Sequence, residues 1–328
     1  MGCSISMTAG ITANIQNRAT GAGSVMITGA SSGIGLELAR HYGRIGKPLV
    51  LIARNEERLA KTADELMGLN SIYSDSPGSM VTVSLDVADT DAVNQQLNQA
   101  VQSHGVPELL INAAGIVNVG RFLEMGADYF NANLRIDLDG TVNVCRVIAP
   151  HMAKAGAGHI VNIASAAGFL GIYGYTGYSA AKFAVMGFSE ALRFEMKPLG
   201  VAVSVVCPPD TKTPGLEVER SARPAETEAI AGGITALDPR LVAKKIVRGI
   251  NSGRFYIIVG ATSKFYFRLK GLLPEIFFAI VDAQIKDVAR KAHKNGHQQS
   301  AALHDITSPS ACLPEQTALN RGGYSTCN

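Results

Sequence analysis

From residue 24 to residue 260 the chain alternates short apolar runs with longer stretches whose apolar residues recur at helical spacing. The runs SVMITGA (24–30), PLVLIAR (48–54), MVTVSLDV (80–87), ELLINAAG (108–115), HIVNIAS (159–165), VAVSVVCP (201–208) and FYIIVG (255–260) are nearly continuous in apolar residues, the pattern of strands covered on both faces. Between them GIGLELARHYGRIG, EERLAKTADELMG, DAVNQQLNQAVQSHG, the 126–155 stretch, 177–198 and PRLVAKKIVRGINS read as helices. Together they predict one α/β domain over 24–260, a doubly wound (Rossmann) parallel sheet of seven strands with helices on both faces. Segment 209–237, polar and proline-bearing, reads as a loop covering a site. Residues 1–23 read as a flexible leader, 261–296 as a C-terminal helical extension, and 297–328, rich in Ser, Gln, Gly and Asn, as a disordered tail.

Ligands of such sheets lie beyond the carboxyl ends of the strands, where the strand order reverses. TGASSGIG follows the first strand directly. Its glycines, Gly29, Gly33 and Gly35, permit a tight turn and close backbone approach, and with Ser31, Ser32 and Ile34 they open a helix whose amides and dipole suit a pyrophosphate. Arg54 ends the second strand and Arg58 follows one turn later, where an enzyme using NAD would present a carboxylate to the ribose. Guanidinium groups there favour a 2′-phosphate, hence NADP(H). Asp86, next to Val87, ends the third strand and is placed to accept from an adenine amine. Asn112 and Gly115 of NAAG are expected to border the nicotinamide. Pro208 and Pro209 stiffen the exit from the sixth strand, and Thr211 and Thr213 offer hydroxyls to the cofactor.

Tyr178 and Lys182 stand four residues apart, on one face of a predicted helix. A fixed ammonium one turn away is expected to lower the phenol pKa toward working pH and make it a usable acid. TGASSGIG, NAAG, Ser165 after the fifth strand and a Tyr-x-x-x-Lys thirteen residues later together resemble the short-chain dehydrogenase/reductase superfamily over residues 24–260. The resemblance implies that Ser165 hydrogen-bonds a substrate carbonyl, that NADPH delivers hydride, that Tyr178 protonates the oxygen, and that Lys182 holds the nicotinamide ribose. It also implies a homo-oligomer paired through the helices of 126–155 and 177–198.

One position departs from that pattern. Asp137 in IDLDG stands where the family usually has asparagine, and its charge is expected to cancel part of the pull of Lys182 on Tyr178, with Asn133, one turn earlier, as a candidate substitute. LIARNEERL, GYTGYSAAKFAVMGFSEALRFEMKPLGV and CPPDTKTPGLEVERSARPAET are similar to the 3-ketodihydrosphingosine reductases. That similarity implies a long-chain, lipid-like ketone as substrate. The alternatives are another ketone (3-ketoacyl, steroid or broad-range) or a nucleotide-binding protein without catalysis.

Charge sharpens the substrate reading. Residues 1–260 are balanced, whereas 261–296 hold seven Lys and Arg against three Asp and Glu. This segment also carries Phe265, Tyr266, Phe267, Leu272, Leu273, Phe277 and Phe278, a mixture suited to peripheral contact with an anionic membrane surface. No run approaches the ~20 apolar residues of a membrane span. The five cysteines lack paired or metal-type spacing, so a reduced, cytoplasmic setting without a metal is expected, and no nucleic-acid partner. The opening MGCSIS fits a myristoylation pattern at Gly2, with Ser6 in place and Cys3 open to palmitoylation, a six-residue pattern that chance matches readily.

Overall fold

The computed structural model describes residues 23–73, 78–224, 226–228 and 235–303. The leader up to residue 22, with its lipidation pattern, and the tail from residue 304 lie outside the described residues.

Seven parallel strands form one sheet in the order β3-β2-β1-β4-β5-β6-β7. They are β1 (Val25–Thr28), β2 (Leu49–Ala53), β3 (Met80–Ser84), β4 (Leu109–Asn112), β5 (Gly158–Ile163), β6 (Val201–Cys207) and β7 (Tyr256–Ile258). Every residue of β1, β2 and β4 is buried, as near-continuous Val, Ile and Leu requires of strands covered on both faces.

The strand period of two divides those residues between two cores. Val25, Ile27, Leu49 and Leu51 pack on one face against α1 (Gly33–Arg44), α2 (Glu56–Tyr73) and, farther along the chain, Pro239–Asn251. Met26, Val50 and Ile52 pack on the other against α3 (Thr90–His104) and residues of the 126–155 stretch. That stretch is α4 (Ala127–Asn133), a π-helical turn (Leu134–Asp139) and α5 (Gly140–Ala155). Then come α6 (Thr176–Met196), α7 (Pro214–Ala222), α8 (Pro239–Asn251), α9 (Ala261–Leu272) and α10 (Pro274–Leu303).

The order reverses between β1 and β4, whose last paired residues are Thr28 and Asn112. The Thr28 hydroxyl accepts from the amides of Ala113 (3.0 Å) and Ala114 (3.1 Å), tying the two loops that flank the switch point.

Two expectations change. The loop expected over 209–237 contains α7: Thr213 accepts from the Leu216 amide and Pro214 occupies the first turn, a strong helix start inside a polar stretch. Residues 297–303, expected within the tail, instead continue α10, which runs to Leu303. Among the described residues no helix is long and apolar enough to cross a membrane.

Candidate active site

The loops after β1, β4, β5 and β6 enclose a cavity of about 280 Å³ lined by Gly29, Ser32–Gly35, Ala113–Val117, Ser165, Tyr178, Lys182, Pro208, Pro209, Thr211 and Thr213, and also by Tyr175, Asp210, Leu216 and Glu219. The glycine-rich turn thus shares one space with the Ser-Tyr-Lys trio.

The turn has the shape of an anion cradle. Gly29 (φ +66°) and Gly33 (φ +57°) hold left-handed backbone that side chains disfavour. A Cβ on Gly35 would press into the carbonyl oxygen of Gly29. The Ser32 side chain makes no cap bond and the first turn of α1 holds no acidic residue, so its amides and positive dipole end are left for an anionic group. These residues fit a dinucleotide pyrophosphate.

α6 places Tyr178 and Lys182 one turn apart. Lys182, buried, donates from Nζ to the Ile163 carbonyl at 3.2 Å, and Nζ lies 5.6 Å from the Tyr178 ring centroid. Ser165 follows β5 and accepts from the Ala167 amide at 3.1 Å, capping a short 3₁₀ turn that fixes its direction.

Asp137 enters from the π-helical turn and is wholly buried. Its Oδ1 accepts from the Ile116 amide at 2.8 Å and stands 3.8 Å from Lys182 Nζ, while its Oδ2 has no hydrogen-bond partner among the described residues. A Cβ on Gly115 would collide with Asp137 Oδ1, so glycine at 115 is what lets the carboxylate approach Lys182. Burial raises the Asp137 pKa to about 6, against the opposing pulls of Lys182 and the Ile116 amide.

The electrostatics overturn one expectation. The phenol of Tyr178 is pushed up, first by loss of hydration and then by the charge of Asp137, with Ser165 opposing. Any pull from Lys182 does not prevail; its ammonium also faces the Ile163 carbonyl and the Asp137 carboxylate. The amide of Asn133, the candidate substitute for the missing asparagine, is engaged by the backbone of Asn118, accepting at 2.9 Å and donating at 3.2 Å.

The remaining predicted residues divide into two groups. Asn112 does not border the cavity. It is buried under the sheet end, donating to Asn162 Oδ1 at 2.9 Å and to Cys145 Sγ at 3.3 Å. Thr211 lines the cavity with its hydroxyl turned back onto the Pro209 carbonyl (2.8 Å), and Pro208 accepts from the Ala166 amide (2.9 Å). Ser31, Arg54, Arg58, Asp86 and Val87 lie outside the cavity lining. Arg54 is exposed at the end of β2, its Nη1 3.9 Å from Asp86 Oδ2, and Arg58 is exposed in the first turn of α2. Val87 is buried, its carbonyl accepting from Asn143 Nδ2 at 3.1 Å.

Sequence reasoning missed Tyr175, Asp210, Glu219 and Arg223. Tyr175 and Arg223 both donate to Glu219 Oε1. The available signal was a helix start, Thr-Pro with Glu217 in the first turn, followed by Glu219 and Arg223 at i, i+4.

The extension from 261 is partly inward-facing. Phe267 meets Phe169 edge to face at 5.0 Å, Phe277 is buried, and Lys270 donates to the Phe169 carbonyl at 2.7 Å. Phe265, Leu272, Leu273, Ile276, Phe278 and Ile280 stay exposed.

The family model for short chain dehydrogenases matches residues 24–224. A mouse protein named 3-ketodihydrosphingosine reductase is 37% identical over 240 residues, 72% of this chain and 71% of the relative. A Dictyostelium discoideum protein of the same name is 32% identical over 286 residues, 81% and 83% of the two chains. A Burkholderia phymatum short-chain dehydrogenase/reductase solved in complex with NAD superposes with a TM-score of 0.68 at 28% identity, covering 77% of this chain and 95% of that one.

Proposed function

The chain belongs to the short-chain dehydrogenase family, and on that footing we propose that it is an NADPH-dependent reductase of the 3-keto group of a long-chain sphingoid base, 3-ketodihydrosphingosine. The observation that carries this reading is the shared cavity in which Ser165, Tyr178 and Lys182 meet the glycine-rich turn. The relatives' names supply the substrate.

The cofactor, when bound, supplies a hydride to the carbonyl carbon. Ser165 orients the carbonyl oxygen and Tyr178 gives it a proton. For reduction the phenol must hold its proton until an alkoxide, a stronger base, develops beside it, and the upward push on Tyr178 keeps that proton in place. Lys182, whose Nζ lies 5.6 Å from the Tyr178 ring centroid, holds the nicotinamide ribose. Gly29, Ser32, Gly33, Ile34 and Gly35 receive the pyrophosphate, and Arg54, with Arg58 beyond it, receives the 2′-phosphate.

Residues 24–260 act as the dinucleotide-binding and catalytic unit. Residues 261–296 rest on a membrane surface through exposed Phe265, Leu272, Leu273, Ile276 and Phe278 with neighbouring Lys264 and Arg268. The chain pairs with a second copy through α4–α6.

The test is oxidation of NADPH, beside NADH, with 3-ketodihydrosphingosine and with a 3-ketoacyl thioester. Faster turnover of the sphingoid ketone with NADPH is expected. Equal or better turnover of the thioester sinks the substrate assignment, and preference for NADH sinks the role of Arg54.

A further inference from the structure

α7 brings a buried charged network to the wall of the cavity. Tyr175, Asp210 and Glu219 all line it. Glu219 is only 7% exposed, and its bonds are lopsided. The Tyr175 hydroxyl, Arg223 Nε (3.0 Å) and Arg223 Nη2 all donate to Oε1, and among the described residues none donates to Oε2. Arg223 Nη2 also donates to Asp210 Oδ2 at 2.7 Å, while Nη1 stands 3.8 Å from the exposed Glu228.

One guanidinium therefore serves two cavity-lining carboxylates, which keep a net negative charge. Glu219 Oε2 therefore opens on the cavity without a protein donor among the described residues, so water or an entering cation has to complete it. Lys182, the other charged side chain lining the cavity, faces Asp137.

The network lies close to the reacting groups. The Tyr175 ring meets the Tyr178 ring at 6.1 Å, edge to face, so Glu219, bonded to the Tyr175 hydroxyl, is separated from the Tyr178 ring by one aromatic side chain. The negative charges of Glu219 and Asp210 also push the Tyr178 phenol up, an effect that requires both to lie within electrostatic reach of the atom that protonates the product.

We propose that Glu219, held by Tyr175 and Arg223 and supported by Asp210, forms an ammonium subsite that selects ketones bearing an amine on the carbon next to the carbonyl. This rests on the sphingoid-ketone reading and specifies how that substrate is told from other long-chain ketones. With its carbonyl between Ser165 and Tyr178, such a substrate carries its ammonium one bond from the reacting carbon. The ammonium supplies the donor that Glu219 Oε2 lacks and neutralises the surplus charge. A ketone without the amine leaves the carboxylate dehydrated and unanswered, the situation in which a polar site discriminates most strongly.

The experiment compares two ketones of equal chain length, 3-ketodihydrosphingosine and its analogue with hydrogen in place of the amine, under NADPH with the full chain. The wild type is expected to favour the amino ketone in kcat/KM by roughly 10- to 100-fold, the range of one hydrogen bond to a charged group. Glu219→Gln is expected to collapse that ratio toward one, the loss falling on the amino ketone. Glu219→Asp, which keeps the charge, is expected to retain part of the ratio.

An equal loss on both ketones in Glu219→Gln, or a ratio that survives it, overturns the subsite. The residual rate on the amine-free ketone reports whether the variant is folded, and Asp210→Asn, expected to lower the ratio by less, is a second reading if Glu219→Gln does not accumulate. A wild type that reduces both ketones equally overturns the subsite while leaving the reductase reading standing. A wild type that reduces neither overturns both.

Discussion

Replacing Asp137 by asparagine separates the charge of this side chain from its shape. The carboxylate is fully buried, its Oδ2 has no hydrogen-bond partner among the described residues, and the pull of Lys182 at 3.8 Å does not repay the loss of water, so its pKa rises from 3.8 to about 6. A group whose folded pKa is raised contributes stability that is fully present below its unfolded value and is lost as pH rises through the folded value. Here the window runs from about 4 to about 6. The rise corresponds to about 3 kcal/mol of folding free energy missing above about pH 7, a net figure that already includes the attraction of Lys182.

An asparagine in this place would keep an oxygen for the Ile116 amide and carry no charge. Asp137→Asn is therefore expected to be more stable than wild type at about pH 8, by up to about 3 kcal/mol, and to converge with it near about pH 4, measured by urea denaturation across that range. With the charge gone, the upward push on Tyr178 weakens, so turnover is kept or raised and the alkaline limb of the pH–rate profile moves to lower pH. A variant less stable than wild type at the alkaline end, or a gap that does not close on acidification, refutes the claim that dehydration outweighs the ion pair. A large loss of turnover would assign the carboxylate a role of its own.

Tyr178→Phe removes the proposed proton donor and little volume; kcat should fall by at least ~100-fold, the scale of general acid catalysis, while NADPH quenching titrations stay near wild type. Arg54→Ala should weaken NADPH and leave NADH nearly unchanged, so the ratio of the two Kd values moves toward one, since this exposed side chain is paired only loosely with Asp86. Gly35→Ala should cost about 1–3 kcal/mol of stability and much of the cofactor affinity, because the new methyl meets the Gly29 carbonyl oxygen and drives α1 from the turn; a thermal shift assay with and without NADPH measures both.

The sheet was legible in the apolar pattern, because β1, β2 and β4 are buried on both faces and near-continuous apolar strands meet that condition. So were the glycine-rich turn and the pairing of Tyr178 with Lys182, since left-handed backbone and helix periodicity are local properties. Not legible was any balance among charges that meet only through the fold. Tyr178 looked acidified because Lys182 is its neighbour along the helix. In three dimensions Asp137 arrives from the π-helical turn, Asp210 from the loop after β6 and Glu219 from α7, and together with burial they reverse the direction. Asn112, in a motif that pointed to the cofactor, is instead drawn into a buried link with Asn162 and Cys145, because strand register decides which of its faces meets the core. Local chemistry is written in spacing, whereas electrostatic sign depends on dehydration and on distances across the fold, which tertiary packing sets.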